Sequence, residues 1–302
     1  MAYRKRQGSG VSPATRITQE IIARLEAGTK PWIKPWRGVP VSRPLRACGI
    51  PYRGMNVFWL WMVADMCGYA SPFWMTYNQA KSLGAQVRKG EKSTIAIFYK
   101  SYTKEVEAPD TGEKTDEARR VLKAYPVFNA DQVEGLPERF HPAATLELVE
   151  PEGREAELDA FFAAIPVNLR HQGCEAYYEP TADRVTMPPA SLFNGFDHYY
   201  ATLAHECGHA TGAKHRLDRN FAERFKRDSL AIEEICAELT ASFVLADLGI
   251  AHHPRPDHAA YVASWLRVFK DDPRAIFTAA SKAQAAADWM HAQQPQAEEM
   301  AA

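Results

Sequence analysis

The sequence predicts an α+β fold in two domains, a basic α+β domain followed by a mainly helical domain with a small sheet. Its 302 residues are enough for two ordinary domains. Residues 1–100 contain 16 basic and four acidic residues, whereas residues 101–302 contain 20 basic and 33 acidic residues. Such an asymmetry indicates different partners for the two halves, with a polyanion for the basic one. The predicted division is a first domain over 1–135, a linker over 136–155, a second domain over 156–293 and a disordered tail over 294–302.

The composition is typical of a cytoplasmic globular protein. Hydrophobic residues make up 46% of the chain, which is ordinary for packed cores. The most apolar stretch, residues 56–70, is interrupted by Asp65 and is too short to span a bilayer, so no membrane partner is expected. The five cysteines form no CxxC pair. Their odd number argues against a disulfide framework or a cysteine zinc site and fits a reducing cytosol.

Apolar spacing and turn residues define the elements of the first half. Ile17, Ile21 and Leu25 recur at helical spacing, which predicts a helix over 14–27. The prolines of residues 29–54 exclude a regular helix or a central strand there, because proline lacks the backbone donor and fixes φ. The other predicted elements are helices over 56–68 and 76–84, a strand over 93–102, a charged loop over 104–120 and a returning strand over 122–133.

The second half combines one predicted hairpin with several helices. Residues 174–189 alternate in polarity and turn at 180–183, which predicts two antiparallel strands. The strand over 183–189 has two interpretations, the edge strand along which an extended peptide binds or part of a simple core hairpin. Helices are predicted over 156–164, 196–212, 228–249, 261–270 and 277–293.

A His-Glu-x-x-His motif lies within the predicted helix 196–212. His205 and His209 are one helical turn apart, so both imidazoles project from one face and can hold a single ion. Glu206 lies beside them, in position to take a proton from a water molecule at the ion. The motif therefore predicts a divalent metal, zinc, with Glu206 as the catalytic residue.

The third ligand has more than one candidate. His215 follows at a spacing that matches the metzincin pattern, with Gly212 at the turn. That pattern also needs a methionine turn, and the sequence has no methionine between Met187 and Met290.

The rival candidates are acids on the next long helix. Glu234 and Glu238 lie four residues apart on one face, which resembles the gluzincin arrangement of one glutamate ligand and a second acid behind a ligand imidazole. We favour Glu234 as the ligand. Glu238 and His215 remain alternative ligands. Glu238 could instead support a ligand imidazole without binding the metal itself. His198, Tyr199, Tyr200 and His215 are candidate stabilisers of a developing oxyanion.

The basic half contains residues suited to single-stranded nucleic acid. Trp32 and Trp36 alternate with cations in the segment TKPWIKPWRG, and exposed tryptophan beside cations can stack unpaired bases while phosphates are neutralised. The alternative is a loop that folds back onto its own domain. The candidate contacts to nucleic acid are Lys30, Trp32, Lys34, Trp36, Arg37, Arg53, Arg88, Lys89 and Lys92.

Several stretches, in order along the chain, resemble a known family. ITQEIIARLEAGTKPWIKPW, GIPYRGMNVFWLW, VRKGEKSTIAIFYK and YPVFNADQVEGLP resemble the N-terminal single-stranded-DNA-binding domain of plasmid antirestriction proteins of the ArdC type and of related conjugation primases. AYYEPTADRVTMPP, YYATLAHECGHATGAKHRLDR and EEICAELTASFVL resemble the zincin-like metallopeptidase domain fused to it. One departure is Cys207-Gly208, where relatives usually carry bulkier apolar residues.

The resemblance implies a protein that binds single-stranded DNA and shields incoming plasmid DNA from restriction during conjugation. It implies His205 and His209 as metal ligands, Glu206 as catalytic acid and base, and a glutamate of residues 233–238 as third ligand. A protein substrate in the recipient cell is a further expected partner. Two alternatives stay open: a metalloprotease that cleaves a host protein, and a DNA-binding protein whose metal is structural.

Overall fold

The structure is a computed structural model that describes residues 11–27, 42–107, 114–141, 153–250 and 258–295. It confirms the α+β class, with helices and small sheets in both halves. The helices of the first half are α1 (Pro13–Glu26), α2 (Met55–Cys67) and α3 (Tyr77–Ser82). Those of the second half are α4 (Arg154–Ala163), α5 (Phe196–Ala210), α6 (Ala222–Phe225), α7 (Ser229–Asp247), α8 (His258–Asp271) and α9 (Ala275–Ala292).

The first two helices follow from local sequence. At the start of α1, Ser12 accepts a hydrogen bond from the Thr15 backbone N–H at 3.1 Å, which satisfies a donor that the helix leaves unpaired. Helix α2 is apolar on almost every side and largely buried, and it ends at Gly68 with φ 67°, a conformation that glycine adopts without a steric penalty. The predicted helices over 14–27, 56–68 and 76–84 are confirmed.

A long two-stranded ribbon dominates the first half. The strands are β1 (Leu45–Arg46), β2 (Phe73–Met75), β3 (Gln86–Val87), β4 (Thr94–Glu107), β5 (Lys114–Asn129) and β6 (Val133–Glu134), and the main sheet has the order β1-β2-β5-β4. Antiparallel β4 and β5 pair from Thr94↔Val127 to Glu107↔Lys114. The predicted charged loop over 104–120 is therefore wrong for 104–107 and 114–120. Polar residues stay in a strand here because the ribbon satisfies its backbone groups by cross-strand pairing.

The second half has a three-stranded sheet with a strand that the sequence did not reveal. It contains β7 (Asn168–His171), β8 (Tyr177–Glu179) and β9 (Arg184–Met187), in the order β7-β9-β8. The predicted antiparallel hairpin is confirmed as β8 and β9. The edge-strand interpretation of 183–189 is wrong, because β7 pairs with β9 in parallel and makes it the central strand. All four residues of β7 are exposed, so it shows no alternation of polarity.

One continuous hydrophobic core contains residues from α1 and α2 together with residues from α5, α7 and α9. The Trp61 and Phe243 rings lie 6.2 Å apart across the halves. The Arg43 guanidinium, 6% exposed, donates to Asp247 at 2.6 Å and to Gln284 at 2.7 Å. The basic half thus packs directly on α7 and α9.

The proposed domain boundaries stay a prediction. Residues 142–152 of the proposed linker and 296–302 of the proposed tail lie outside the described ranges. Within those ranges, none of the helices combines the length and the apolar character needed to cross a membrane.

Candidate metal centre

Helix α5 brings the two motif histidines together at its buried end. His205 is 3% exposed, and its Nε2 lies 3.1 Å from Nε2 of His209, one turn further along. Both imidazoles therefore project from the helix face that packs on α7, as the four-residue spacing predicts.

Helix α7 supplies a carboxylate to the same point. The Glu234 oxygens lie 3.5 Å from Nε2 of His205 and 3.5 Å from Nε2 of His209. One donor atom from each of these three residues lies within 4.8 Å of the other two. The structure therefore brings together the two motif histidines and the glutamate that the sequence favoured.

Each imidazole has an acid on its far side. Nδ1 of His205 lies 3.2 Å from Oε2 of Glu238, and Nδ1 of His209 lies 3.1 Å from Oε1 of Glu233. A carboxylate accepts a hydrogen bond from Nδ1–H, and this tautomer leaves the Nε2 lone pair free for a ligand. Glu238 lies in the supporting position foreseen for it as an alternative to ligation.

Glu233 is a site residue that the sequence reasoning missed, and Arg219 holds it in place. The Arg219 side chain is 1% exposed. It donates to Glu233 Oε2 at 2.8 Å, to Thr211 Oγ1 at 2.8 Å and to the Gly208 carbonyl at 2.9 Å. Burial raises the pKa of Glu233, but the opposing effect of Arg219 and His209 is larger and lowers this pKa to about 2. The sequence features that could have indicated Glu233 are its position next to Glu234 on α7 and the presence of Arg219 ten residues after His209.

The donor set fits a divalent cation. With both Nδ1 atoms facing carboxylates, two lone pairs and a carboxylate converge on one point, and a cation is what relieves their repulsion. Burial lowers the pKa of His205, but the hydrogen bonds to Glu234 and Glu238 raise it more, to about 10. The surroundings therefore favour positive charge. Two histidines, one glutamate and an open side match the ligands of catalytic zinc sites.

A cleft of about 730 Å³ opens beside this cluster. Glu206 lines it although the residue is 2% exposed overall, so its side chain faces the cleft from a buried position. The other lining residues are Ala176, Tyr177, Tyr178, Pro180, Asp183, His209, Gly212, Ala213, Lys214, His215, Arg219, Leu230, Glu233 and Glu234. The arrangement can hold a cation at the base of the cleft with a carboxylate next to it.

His215 lies at the cleft wall and pairs with Asp183 rather than with the cluster. Its side chain is 62% exposed, and Nε2 lies 3.2 Å from Asp183 Oδ2. Arg216 holds the same carboxylate through two hydrogen bonds of 2.6 and 2.8 Å, and Tyr178 donates to it at 2.8 Å. The pKa of Asp183 is lowered, chiefly by Arg216. This geometry places His215 at the cleft wall, outside the cluster of His205, His209 and Glu234.

Two of the expected oxyanion stabilisers are engaged elsewhere. The Tyr199 hydroxyl pairs with His171 at 2.8 Å, and the Tyr200 hydroxyl donates to Asp159 at 2.6 Å. Neither belongs to the described residues that line the cleft. Tyr199 and Tyr200 are therefore not positioned to stabilise an oxyanion in the cleft, because both rings pack into the core beside α4 and β7. Tyr178, which the sequence did not single out, lines the cleft.

The candidate nucleic-acid contacts are only partly described. Lys30, Trp32, Lys34, Trp36 and Arg37 lie outside the described residues. Arg53 pairs with Asp288 on α9, so its charge faces the second half of the protein. Arg88 pairs with Glu91 at 2.7 Å, whereas Lys89 and Lys92 are exposed in the turn before β4.

The close approach of α5 and α7 depends on Gly208. A Cβ at this position would lie 3.2 Å from the Ala237 Cα and carbonyl oxygen and 3.3 Å from Cβ of Thr240. Gly208, which stands where a bulkier apolar residue is usual, thus lies against the backbone of α7, the helix that carries Glu234.

Gly208→Val should push α7 away from α5 and separate Glu234 from the two histidines. We expect a loss of about 1–3 kcal/mol in the free energy of unfolding and an affinity for Zn²⁺ lowered by at least about tenfold, as with other losses of ligand orientation. Urea unfolding and calorimetric titration measure the two quantities. Gly208→Ala, which asks its neighbours to move by only a few tenths of an ångström, is the graded control. Equal Zn²⁺ affinity in the valine variant would contradict this account of the packing.

Two family models match adjoining parts of the chain. A model described as a zincin-like metallopeptidase matches residues 156–282. A model described as the N-terminal domain of anti-restriction factor ArdC matches residues 12–128. The two matches correspond to the second and first halves described above.

Several known proteins are similar to this chain over most of its length. The metal-free crystal structure of the antirestriction ArdC protein from R388 plasmid is 46% identical and covers 94% of this chain and 98% of its own, with a TM-score of 0.79. Its Mn(II)-bound structure has a TM-score of 0.75 at 44% identity and the same coverage. Protein y4eC of Sinorhizobium fredii is 44% identical over 94% of this chain and 92% of its own length. DNA primase TraC of Escherichia coli is 38% identical over 91% of this chain, which spans 26% of the primase.

Proposed function

This chain belongs to the ArdC family of antirestriction proteins, and from that premise we propose that it binds single-stranded DNA and protects incoming plasmid DNA from restriction during conjugation. The excess of basic residues in 1–100 supports a polyanion partner. The match to the ArdC N-terminal domain over residues 12–128 supports DNA as that polyanion. Trp32 and Trp36 would stack bases, and Lys89 and Lys92 would contact phosphates.

The second part of the proposal is a divalent metal held by His205, His209 and Glu234. The observation that carries it is the convergence of these three donors at the base of the cleft. The Mn(II)-bound structure of the R388 protein supports a divalent ion. Zinc is the proposed ion, since two imidazoles and one carboxylate are its ligands in catalytic sites.

The residues around the cleft are suited to hydrolysis. A bound divalent cation supplies Lewis acidity, which lowers the pKa of a water molecule and polarises a carbonyl group. The Glu206 carboxylate takes the proton from the attacking water and returns it to the leaving group. Glu238 and Glu233 keep the two imidazoles in the tautomer with a free Nε2. Tyr178 and His215, both fixed by Asp183, line the wall where a substrate would lie.

Glu206→Gln tests the hydrolytic role of the centre. The change removes the proton acceptor and keeps the shape of the side chain, and a general base contributes about 10²- to 10⁴-fold to a rate. We expect Zn²⁺ affinity to stay within a few-fold of the parent protein, while protection of an unmodified plasmid entering a restricting recipient is lost. Transfer frequency into restricting and non-restricting recipients measures protection, and Glu223→Gln, an exposed acid on α6, is the control.

A second candidate function has its own outcome in that experiment. If Glu206→Gln protects as well as the parent protein, occupancy of DNA is sufficient for protection and the metal has a structural role. The continuous core shared by both halves supports a structural role for the metal. An ion that joins α5 to α7 would also stabilise the surface of α7 on which the basic half packs.

A further inference from the structure

The base of the β4–β5 ribbon is fixed to the rest of the protein by buried side chains and by hydrogen bonds from α2. Ala96 and Val127 are fully buried. Asn56 on α2 bonds both backbone groups of Ile97, at 2.7 and 2.9 Å, and Trp59 donates to the Ile95 carbonyl at 2.8 Å. These side chains occupy the outer edge of β4 up to Ile97. Beyond that residue the ribbon extends out of the four-stranded sheet.

Several side chains share one face of the ribbon around this point. Phe98 is directly opposite Lys123, and Tyr125 is opposite Ala96. Because alternate residues of a strand point to the same side, Phe98, Lys100, Lys123 and Tyr125 lie on one face, which we call the ribbon face. Phe98 is 44% exposed, and both lysines are exposed.

The Phe98 ring is supported from below. It meets the Tyr125 ring edge-on, with centroids 5.7 Å apart and an interplanar angle of 63°, and Tyr125 in turn packs on the hydrophobic core. Phe98 is therefore a flat, apolar surface that packs against the body of the protein. The ammonium group of Lys123 lies across the ribbon from it, and that of Lys100 lies two residues further along β4. An aromatic ring that stays exposed and braced in this way is available for a partner.

The opposite face of the ribbon provides a contrast. Tyr99 is 59% exposed and lines a separate cavity of about 340 Å³ with Arg274 and Phe277. It is adjacent to Phe98 in sequence and more exposed, but it faces the N-terminal end of α9 and Pro13 at the start of α1. Phe98 and Tyr99 are therefore two exposed aromatic residues, adjacent in sequence, that lie on opposite faces of the ribbon.

We propose that the ribbon face is a binding surface for single-stranded DNA, on which one unpaired base stacks on Phe98 and the phosphates on either side contact Lys100 and Lys123. Unpaired nucleic acid is the partner that combines flat apolar rings with regularly spaced negative charges, and aromatic side chains among lysines are how proteins bind it without reading its sequence. An acidic peptide matches the lysines, but it does not supply a flat ring at every unit between its charges as a nucleic-acid strand does. The inference rests on the proposed DNA binding and adds residues that the basic tryptophan segment does not contain.

Phe98→Ala tests the stacking contact in the full-length protein. Fluorescence anisotropy with a labelled 20-nucleotide oligo(dT) at low salt should show an affinity lowered about 5- to 150-fold, the range that loss of one base–aromatic stack produces. Phe98→Tyr, which keeps the ring, should bind like the parent protein. Tyr99→Ala, on the opposite face, should also bind like the parent protein.

The lysines are tested by the salt dependence of binding. Lys123→Ala and Lys100→Ala should each lower the slope of log K against log salt concentration by about 0.7, the value for one phosphate contact on a single strand. Phe98→Ala should leave that slope unchanged. Far-UV circular dichroism and thermal unfolding of each variant check that the ribbon remains folded.

Two negative outcomes are distinguishable. If the parent protein does not bind oligo(dT) at low salt, the proposed DNA-binding function fails, and the ribbon face fails with it. If the parent protein binds and Phe98→Ala binds equally well, or Tyr99→Ala is weakened as much as Phe98→Ala, the ribbon face is not the DNA surface.

Discussion

Arg219→Ala is expected to lower the free energy of unfolding by about 3–5 kcal/mol, as loss of one partner of a buried ion pair does. The substitution leaves the Glu233 carboxylate without its cation, and it removes the Arg219 hydrogen bonds to Thr211 Oγ1 and to the Gly208 carbonyl. It should also lower Zn²⁺ affinity by about 10- to 100-fold, since Glu233 would no longer orient the His209 imidazole. Urea unfolding and calorimetric titration measure the two effects.

A matched control lies five residues further along the chain. Arg224 is 48% exposed and pairs with Asp272, and an exposed pair of this kind contributes about 0–1 kcal/mol. Arg224→Ala should therefore unfold almost like the parent protein. The double variant Arg219→Ala, Glu233→Ala should lose less stability than the sum of the two single variants, because it removes the unpaired buried charge. An Arg219→Ala protein as stable as Arg224→Ala would show that the buried pair does not support the centre.

Glu234→Ala is expected to lower Zn²⁺ affinity by more than about 100-fold, since even groups behind the ligands contribute about 10- to 100-fold. The change removes the carboxylate that lies 3.5 Å from both Nε2 atoms. Glu238→Ala should have the smaller effect, about 10- to 100-fold, because Glu238 contacts Nδ1 of His205. Calorimetric titration of the metal-free proteins with Zn²⁺ measures all three affinities.

His215→Ala distinguishes the two motif patterns. The structure pairs His215 with Asp183, so this variant should bind Zn²⁺ like the parent protein. A loss as large as that of Glu234→Ala would make His215 the third ligand and would exchange the gluzincin-like arrangement for the metzincin-like one.

The parts of the site that the sequence predicted are those set by local spacing. His205 and His209 meet because they are four residues apart on a helix, and the helix of Glu234 was evident from its apolar repeat. Glu233 was missed because only Glu234 and Glu238, four residues apart on one helix face, were considered as partners of the histidines. A contact with Arg219, 14 residues earlier in the chain, brings it to His209. Spacing within one helix gives no information about such a contact.

The errors in the fold have a similar origin. The outer part of the ribbon was predicted as a loop because its residues are charged, although strand pairing needs only backbone groups. Strand β7 lacks any alternation, and its parallel pairing with β9 joins residues that are far apart in sequence. The position of β9 in the sheet could therefore not be derived from the hairpin alone.

The proposed ligand set is tested most directly by the anomalous difference map of a crystal of this protein grown with Zn²⁺. We expect one strong peak about 2.0–2.2 Å from Nε2 of His205, Nε2 of His209 and a carboxylate oxygen of Glu234, with Glu206 facing it from the cleft. A peak bound by His215 in place of Glu234, or no peak between the two histidines, would contradict the proposed centre.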